Sequence, residues 1–340
     1  MAGSPGTGSR GLGSFLAAAW PVIRRRLLLA LPVLLLVACG TFGLLHLAPG
    51  DAVDAMVIAG GGGDAALASE LRARYGLDQP LLVQLSLYLL RLLQFDFGVS
   101  PVHNRPVLAL ITERLPISLL LMLTATAFAV SLGVVLGVSA AAAAGRWRDR
   151  LILAAALVIY AMPSFWVGLM LILVFAVTLG WLPVGGFETA ASGLSGMARV
   201  LDIARHLILP TLALALLFVS VHLRLMRAGM LDLAGADFVR MARAKGVPRR
   251  RVLWAHLARN AVLPVIAMVG VQASTLLGGA VVIESVFSLP GLGRLAYDSV
   301  VARDLATLMG LVVVSAVIVL TVTLVVDLVM AALDPRVRLR

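Results

Sequence analysis

Long apolar runs alternate with short polar, arginine-rich segments along the whole chain. Six runs reach the length of about 20 residues that an α-helix needs to cross the roughly 30 Å hydrocarbon core of a bilayer. Lipid offers the backbone no hydrogen bonds, and these runs are too long and continuous for barrel strands, so we expect helices. The predicted spans are Leu27–Ala48, Ile117–Ala144, Leu151–Gly180, Leu207–Leu223, Ala261–Ile283 and Ala306–Leu333.

The composition agrees with this pattern. Of the 340 residues, 61% are hydrophobic and 13% charged, and the mean hydropathy is +1.03. Soluble domains carry about 25% charged residues. The chain is therefore predicted to be an all-α membrane protein with six transmembrane helices.

The arginines predict the orientation of these helices. The segment 224–260 carries nine Arg or Lys against two Asp, and the tail 1–26 and the loop Gly145–Arg150 are also basic. The positive-inside rule predicts that these segments and both termini are cytoplasmic. Because this topology accounts for the net charge of +11, we do not expect nucleic-acid binding.

The predicted spans divide the chain into five segments. They are a cytoplasmic tail over 1–26, a first span over 27–48, an external loop over 49–116, a transmembrane core over 117–333 with the cytoplasmic loop 224–260, and a cytoplasmic tail over 334–340.

The external loop contains two helical patterns. After the flexible run Gly60–Gly63, the segment Ala65–Tyr75 is predicted to be a helix that ends at Gly76. The stretch Leu81–Leu93 has leucines at helical spacing. The sequence leaves two interpretations open, a folded external cap or a helix lying on the membrane.

The single cysteine, Cys39, excludes an intrachain disulfide and a cysteine-based metal cluster. The segment from Arg24 to Cys39 resembles a lipoprotein signal peptide, with three arginines, an apolar run and a terminal cysteine. The apolar run continues to Ala48, which favours an uncleaved span. A mature form beginning at Cys39 is the alternative.

Two prolines interrupt the predicted spans. Pro163 lies in the third span and Pro210 near the start of the fourth, where each removes a helix hydrogen bond.

The fifth span has one face with unusually small and polar side chains. Its residues either pack closely against another helix or line a translocation path. The candidate path residues are Gln272, Ser274, Thr275, Gly278, Gly279, Pro163 and Ser164.

The basic loop contains an ordered pattern. A helix is predicted from Asp237, whose carboxylate caps or favourably charges the first turn, through Lys245, the only lysine. Gly246 is predicted as a left-handed cap, and Pro248 starts a second helix that ends near Ala258. The predicted order of elements in this loop is therefore a helix, a glycine elbow, a short amphipathic helix and the next span.

The second helix of this loop is predicted to dock a partner. Three arginines at its start oppose the helix dipole, a cost that an acidic partner surface would offset. Its apolar face is expected to join them in the docking surface. The candidate docking residues of the loop are Ala242, Arg243, Ala244, Lys245, Gly246, Arg249, Arg250, Arg251, Val252, Leu253, His256, Leu257 and Asn260.

The same residues carry a family resemblance. The pattern A-R-A-K-G, nine residues, H, three residues, N, three residues, P resembles the cytoplasmic loop of ABC-importer inner-membrane permeases. More narrowly, it resembles the dipeptide, oligopeptide and nickel permease family, and the large external loop resembles the first of its two permease types. Further matching pieces are Pro49–Asp51, Tyr75–Pro80, Phe95–Ser100, Leu277–Glu284, Phe287, Pro290–Arg294, Arg303–Asp304 and Asp334–Arg336.

This resemblance implies the type I ABC-importer permease fold in a prokaryotic inner membrane. It also implies a second homologous permease subunit, one or two cytoplasmic ABC ATPase subunits and an external substrate-binding protein, besides membrane lipid. A phosphate-binding loop needs G-K-[ST], but Lys245 is followed by Gly246. We therefore expect ATP and Mg²⁺ to be bound by the partner ATPase and no cofactor by this chain.

Two departures from the family pattern limit this comparison. Arg240–Ala242 stands where the general importer loop has Glu-Ala-Ala, as in many peptide permeases. Gln94–Gly98 differs from the usual Gly-Asp-Leu-Gly. The substrate is expected to be a di- or oligopeptide, with nickel, glutathione or another small solute as alternatives.

Two other classes of protein, a secondary transporter and an intramembrane enzyme, fit the sequence less well. A secondary transporter driven by an ion gradient places ionisable residues inside the membrane. Here Asp327 is the strongest intramembrane charge, and we expect it to pair with Arg224 or Arg227. An intramembrane enzyme would need a nucleophile–base or metal cluster, and the sequence offers no convincing one, so no catalytic residue is predicted.

Overall fold

The computed structural model describes residues 12–47 and 79–333. Predictions for Pro49–Asp51, Gly60–Gly63, Ala65–Tyr75 and the tail 334–340 fall outside these residues. The elements are α1 (Leu12–Leu47), α2 (Leu81–Leu93), a hairpin of β1 (Val99–Ser100) and β2 (Arg105–Pro106), α3 (Val107–Ala142), α4 (Trp147–Ala161), α5 (Ser164–Thr178), α6 (Gly196–Leu233), α7 (Asp237–Ala244), α8 (Arg249–Val286), α9 (Leu292–Val301) and α10 (Leu305–Leu333).

The predicted six spans agree with the structure when one bent helix pair is counted as a single span. Among the described residues, five helices are long and apolar enough to cross a membrane, namely α1 (over Trp20–Leu44), α3, α6, α8 and α10. The pair α4 and α5, which meet at an angle of 103°, makes the sixth when taken as one broken span. Pro163 causes this corner, because proline disfavours a helical conformation at the residue before it, and Met162 is extended.

The bundle has two ends that serve as landmarks. The basic end holds the loop 143–146 and the segment 234–248. The opposite end holds the segments 94–106, 179–195 and 287–304. The α4–α5 pair joins the two ends, because Asp149 of α4 pairs with Arg227 at the basic end and Gly168 of α5 packs near Phe287 at the other.

Helix α6 is the centre of the bundle, and its closest partner is α3. A Cβ atom added at Gly133 would lie 2.6 Å from the Cβ of His222, and one added at Gly137 would lie 2.6 Å from the Cβ of Met226. Two glycines four residues apart therefore let the helices approach more closely than any larger side chain permits, the packing mode typical of membrane helices.

A buried carboxylate holds helix α9 at the opposite end. Glu284 is fully buried, accepts a hydrogen bond from Ser118 Oγ (2.6 Å) and another from the Arg294 N–H (3.0 Å). Ser118 Oγ in turn accepts the N–H of Leu292 (2.7 Å). These bonds satisfy free N–H groups in the first turn of α9. The cluster joins the segments Leu277–Glu284 and Pro290–Arg294, both of which belong to the family resemblance.

A second buried carboxylate, Asp304, holds the hairpin against α10. Asp304 directly precedes α10, and its carboxylate accepts the Thr307 N–H at 3.1 Å and the Thr307 hydroxyl at 2.6 Å. Ser100 of β1 also donates to it, at 2.5 Å. Asp304 is thus an N-cap that ties two distant segments together.

Helix α2 lies antiparallel against the last turns of α1. His46 Nε2 is 3.1 Å from Gln84 Oε1, and the rings of Phe42 and Tyr88 stack at 5.8 Å. Leu82 and Leu93 remain about 80% exposed. An apolar outer face on a helix beside a membrane span favours the interpretation of α2 as a helix lying on the membrane.

The predicted partner of Asp327 is wrong. Asp327 pairs with Arg26 of α1. Arg227 instead makes two bonds to Asp149, at 2.7 and 2.8 Å, and Arg224 lies 5.0 Å from the centre of the Tyr160 ring. Arg224 and Arg227 are therefore held by α4, and Asp327 meets the first span.

Candidate functional site

The helix and glycine elbow predicted in the basic loop are confirmed. Helix α7 ends at Ala244, Gly246 has φ +72°, and its N–H donates to the Arg243 carbonyl at 3.0 Å. This left-handed conformation is the one glycine adopts at low cost. Asp237 makes no capping hydrogen bond and pairs with Arg240 at 2.5 Å, so it contributes charge to the first turn of α7.

The second helix of the loop was predicted to end near Ala258, and this predicted end is wrong. No break follows Ala258, because the helical path continues from Arg249 to Val286 with a single turn residue at Val262. A π-helical segment, Val252–Ala258, lies where the prediction ended the helix. This wider turn lets α8 change the face it buries between the loop and the span. Motion at the loop is therefore connected directly to a membrane span.

The predicted apolar docking face is covered by the chain itself. Val252 and Leu257 are buried, and Leu253 is half-buried. They belong to a cluster with Met226 and Val239 and with other residues of α6 and α7. Ala242 is buried in the same cluster. This face packs within the chain, which leaves little of it open to a partner, and its contact with a partner stays a prediction.

The exposed surface of the loop lies mainly on the other side of α7. Phe238 and Met241 are 39% and 59% exposed, although Val239 and Ala242 beside them are buried. Their three-residue spacing on a short amphipathic helix is the signal in the sequence that indicates this exposed face. The other predicted docking residues are exposed, except for half-buried His256: Arg243, Ala244, Lys245, Gly246, Arg249, Arg250, Arg251 and Asn260.

Helix α8 carries a continuous exposed stripe along the membrane span. Its members recur every three or four residues, which places them on one helix face. Three predicted path residues, Ser274, Thr275 and Gly278, lie in the middle of it, while Gln272 and Gly279 are half-buried at its edge. The exposed members are Pro264, Ala267, Val271, Ser274, Thr275, Gly278 and Val282.

Pro163 and Ser164, the other two predicted path residues, form the corner between α4 and α5. Pro163 is exposed and its carbonyl accepts the Val167 N–H at 3.1 Å. Among the hydrogen bonds of the described residues, none joins this corner to the stripe on α8. Their predicted place on the path rests on the sequence alone.

Other candidate chemistry is sparse in the described residues. Within 12–47 and 79–333, no group of three or more His, Cys, Asp or Glu side chains could hold a metal ion. Helix α1 continues through Cys39 to Leu47, and the uncleaved span stays a prediction. The arrangement therefore combines an exposed amphipathic helix at the basic end with an exposed face along a membrane span.

Comparison with known proteins identifies the family of this chain. A family profile described as "Binding-protein-dependent transport system inner membrane component" matches residues 133–339. One similar protein, from Brucella abortus (strain 2308), is provisionally named as the permease of a peptide transport system and is 39% identical over 93% of this chain and 98% of its own. The glutathione transport system permease protein GsiC of Salmonella typhimurium (strain LT2) is 40% identical over the same shares of both chains.

A solved structure supports the fold. The inward-facing MetNI methionine ABC transporter contains a chain that aligns with a TM-score of 0.53 and 16% identity, over 66% of this chain and 96% of that one. At this identity the similarity concerns the fold alone.

These observations define a multi-spanning permease subunit of an ABC importer, which is a transport component of the inner membrane and not an enzyme. The chain belongs to the family of binding-protein-dependent transport system inner membrane components.

Proposed function

We propose that this chain forms half of the translocation path of an ATP-driven importer of short peptides. The exposed stripe of α8 carries the proposal. A face turned to lipid is expected to satisfy its hydroxyls within the helix, as Ser139 and Thr321 do by donating to the carbonyl four residues back. In the described residues, the hydroxyls of Ser274 and Thr275 make no such bond, which suits a face that meets water and cargo.

The second permease subunit is proposed to cover the other side of this path. Small side chains on the stripe leave the backbone of α8 open, and nothing within 4 Å would meet a Cβ atom at Gly278. Two such faces enclose a path wide enough for peptide backbone only if neither carries bulky side chains at the middle of the membrane.

The ATPase is proposed to dock on α7. Exposed Phe238 and Met241 supply apolar anchors, and Arg240, Arg243 and Lys245 surround them with positive charge. An apolar centre with a charged rim is the usual composition of a binding hot spot. The proposed docking helix is thus α7, which precedes Gly246, and not the start of α8, which follows it.

Docking of the ATPase on α7 implies which end of the chain faces the cytoplasm and on which side of the membrane nucleotide binds. The basic end and both termini face the cytoplasm, where one or two ATPase subunits bind ATP and Mg²⁺. An external binding protein delivers cargo at the opposite end. The cargo proposal draws on relatives named for peptide and glutathione transport, because glutathione is itself a tripeptide.

The test of the cargo and the path uses the complex purified through a tag on this chain and placed in proteoliposomes. We expect ATP-driven uptake of labelled di- and tripeptides, and Ser274→Trp should abolish it while the subunits still co-purify. Thr321→Trp, at an exposed threonine of α10 away from the stripe, is the matched control. Uptake that survives Ser274→Trp contradicts the path, and uptake of nickel but not of peptides contradicts the cargo.

The docking site is tested by co-purification. Met241→Asp should lower the yield of co-purifying ATPase at least tenfold, which corresponds to about 1.4 kcal/mol of lost binding. Met197→Asp is the control, since Met197 is equally apolar and 72% exposed but lies at the start of α6, toward the opposite end. Equal loss in both variants, or in neither, would rule out α7 as the docking helix.

A further inference from the structure

One arginine of the basic loop reaches a different helix. Nη2 of Arg249 donates a hydrogen bond to the carbonyl oxygen of Ala142 at 2.8 Å, and Ala142 is the last residue of α3. The neighbouring Arg250 and Arg251 are exposed, and their side chains make no hydrogen bond within the described part of the chain. Arg249 alone of the three therefore connects the first turn of α8 with the end of α3.

The end of α3 needs a donor at this place. The Ala140 carbonyl accepts the Ala143 N–H at 3.1 Å and the Ala141 carbonyl accepts the Ala144 N–H at 3.3 Å. The Ala142 carbonyl receives its donor from Arg249. Carbonyls at a helix C-terminus carry the negative end of the dipole, and α3 has no basic residue in its last turn. The guanidinium supplies both the donor and the missing charge.

Packing around this bond is loose. A cavity of about 490 Å³ separates the end of α3 from the loop, and both Arg243 and Arg249 line it. Val138, one turn earlier, is the buried α3 member of the cluster below the loop, and half-buried Ala141 packs against that cluster. Beside this apolar contact, the Arg249 bond adds a polar connection across the cavity.

The other end of α3 holds the buried cluster at the opposite end of the bundle. Ser118 of α3 donates to Glu284 and accepts the first N–H of α9. From Ser118 to Ala142, α3 runs for roughly 36 Å, at about 1.5 Å per residue. A displacement applied at Ala142 therefore reaches the opposite end along one helix.

We propose that Arg249 is a positioning residue for coupling, which transmits movement of the ATPase-docked loop to α3. The inference rests on the proposed docking of an ATPase on α7. The elbow at Gly246 joins α7 to Arg249 within a few residues, so movement of α7 carries the guanidinium with it. Arg249 then pulls on the end of α3, and α3 moves the Ser118–Glu284 cluster.

The test measures transport and ATP hydrolysis in the same proteoliposomes. Arg249→Gln should lower the number of peptides transported per ATP about tenfold, the effect of losing one charge-assisted hydrogen bond. Arg249→Lys, which keeps a charged donor, should recover much of this ratio. Arg259→Gln removes the same charge from an exposed position on the same helix and should leave the ratio unchanged.

The outcomes separate coupling from a merely structural cap. A cap without a role in coupling would lower the amount of complex and its unfolding temperature but leave the transport ratio intact in Arg249→Gln. That result, or an equal fall of the ratio in Arg259→Gln, overturns the inference. Failure of the proposed function looks different, because then no ATPase co-purifies with the unmodified chain.

A second measurement needs no variant. Amide hydrogen exchange of the unmodified complex is followed with and without bound nucleotide. We expect the last turn of α3, Ser139–Ala142, to change its exchange together with α7. Exchange that changes in α7 while the last turn of α3 stays constant contradicts the proposal even if Arg249→Gln does not assemble.

Discussion

The two ends of the bundle hold their charged residues in opposite environments. At the opposite end, Glu284 and Asp304 are fully buried, and their carboxylates accept N–H groups from the first turns of α9 and α10. At the basic end, Asp237 and Arg240 pair in solvent, with side chains 90% and 72% exposed. The same types of residue thus serve in helix caps at one end and on an open surface at the other.

This difference teaches where the molecule is rigid and where it is available to a partner. A buried carboxylate is tolerated only when its hydrogen bonds are complete, so removing it is expensive. An exposed ion pair contributes little and exchanges easily for other partners. The pair of Asp149 and Arg227, partly buried near the basic end, departs from this contrast and holds α4 against α6, and the exposed pair of Arg105 and Glu113 departs from it at the opposite end.

The largest effect is expected where the buried cluster is broken. Glu284→Ala removes the acceptor of Ser118 and of the first turn of α9, and leaves those donors unpaired. We expect the free energy of unfolding to fall by about 3 kcal/mol or more. Thermal unfolding of the detergent-purified protein and its yield in membranes measure this loss.

The control for this prediction is Glu113→Ala, which removes an exposed glutamate from the same end of the bundle. Glu113 pairs only with exposed Arg105, so stability should hardly change. Similar losses in the two variants would mean that burial of the carboxylate does not determine its contribution.

The next prediction concerns the cap of α10. Asp304→Asn keeps the shape of the side chain but removes the charge that Ser100 and Thr307 contact. A hydrogen bond to a charged group contributes about 1.5 to 3 kcal/mol, and we expect a loss of about 2 kcal/mol. Thermal unfolding measures it, with Asp298→Asn, at an exposed aspartate of α9 outside this cluster, as the control. An unchanged unfolding temperature would show that the cap works without its charge.

Much of this arrangement could be predicted because its causes are local. The six spans follow from apolar length, the corner from Pro163, and the elbow from Gly246, where the residue type itself restricts the backbone. The path residues Ser274, Thr275 and Gly278 share a face because helical periodicity is also local.

The remaining features depend on contacts between distant segments. Val252 and Leu257 formed a recognisable apolar face, but sequence periodicity does not tell whether such a face meets another chain or the chain's own α6. For the same reason Asp327 was assigned an arginine of α6 and pairs with Arg26. The cap of α9 by Glu284 joins segments whose pairing becomes visible only in the fold.

A smaller effect is expected at the crossing of α3 and α6. Gly137→Ala places a methyl group within 2.6 Å of the Cβ of Met226. Overpacking costs about 1 to 3 kcal/mol, and the better helix propensity of alanine returns up to about 1. We expect a net loss of about 1 kcal/mol by thermal unfolding. Gly278→Ala, in open space, should be neutral or slightly stabilising, and an equal loss there would refute the close approach as the cause.

The smallest effect is expected at the exposed pair of the basic end. Asp237→Asn removes the partner of Arg240 and one favourable charge from the first turn of α7. Both contributions are screened by solvent, so we expect the free energy of unfolding to fall by about 0.5 kcal/mol or less. Even this difference should disappear in 1 M salt, where the Debye length is about 3 Å. A loss that persists in salt and approaches that of Asp304→Asn would show that α7 belongs to the rigid part of the molecule, and the contrast between the two ends would fail.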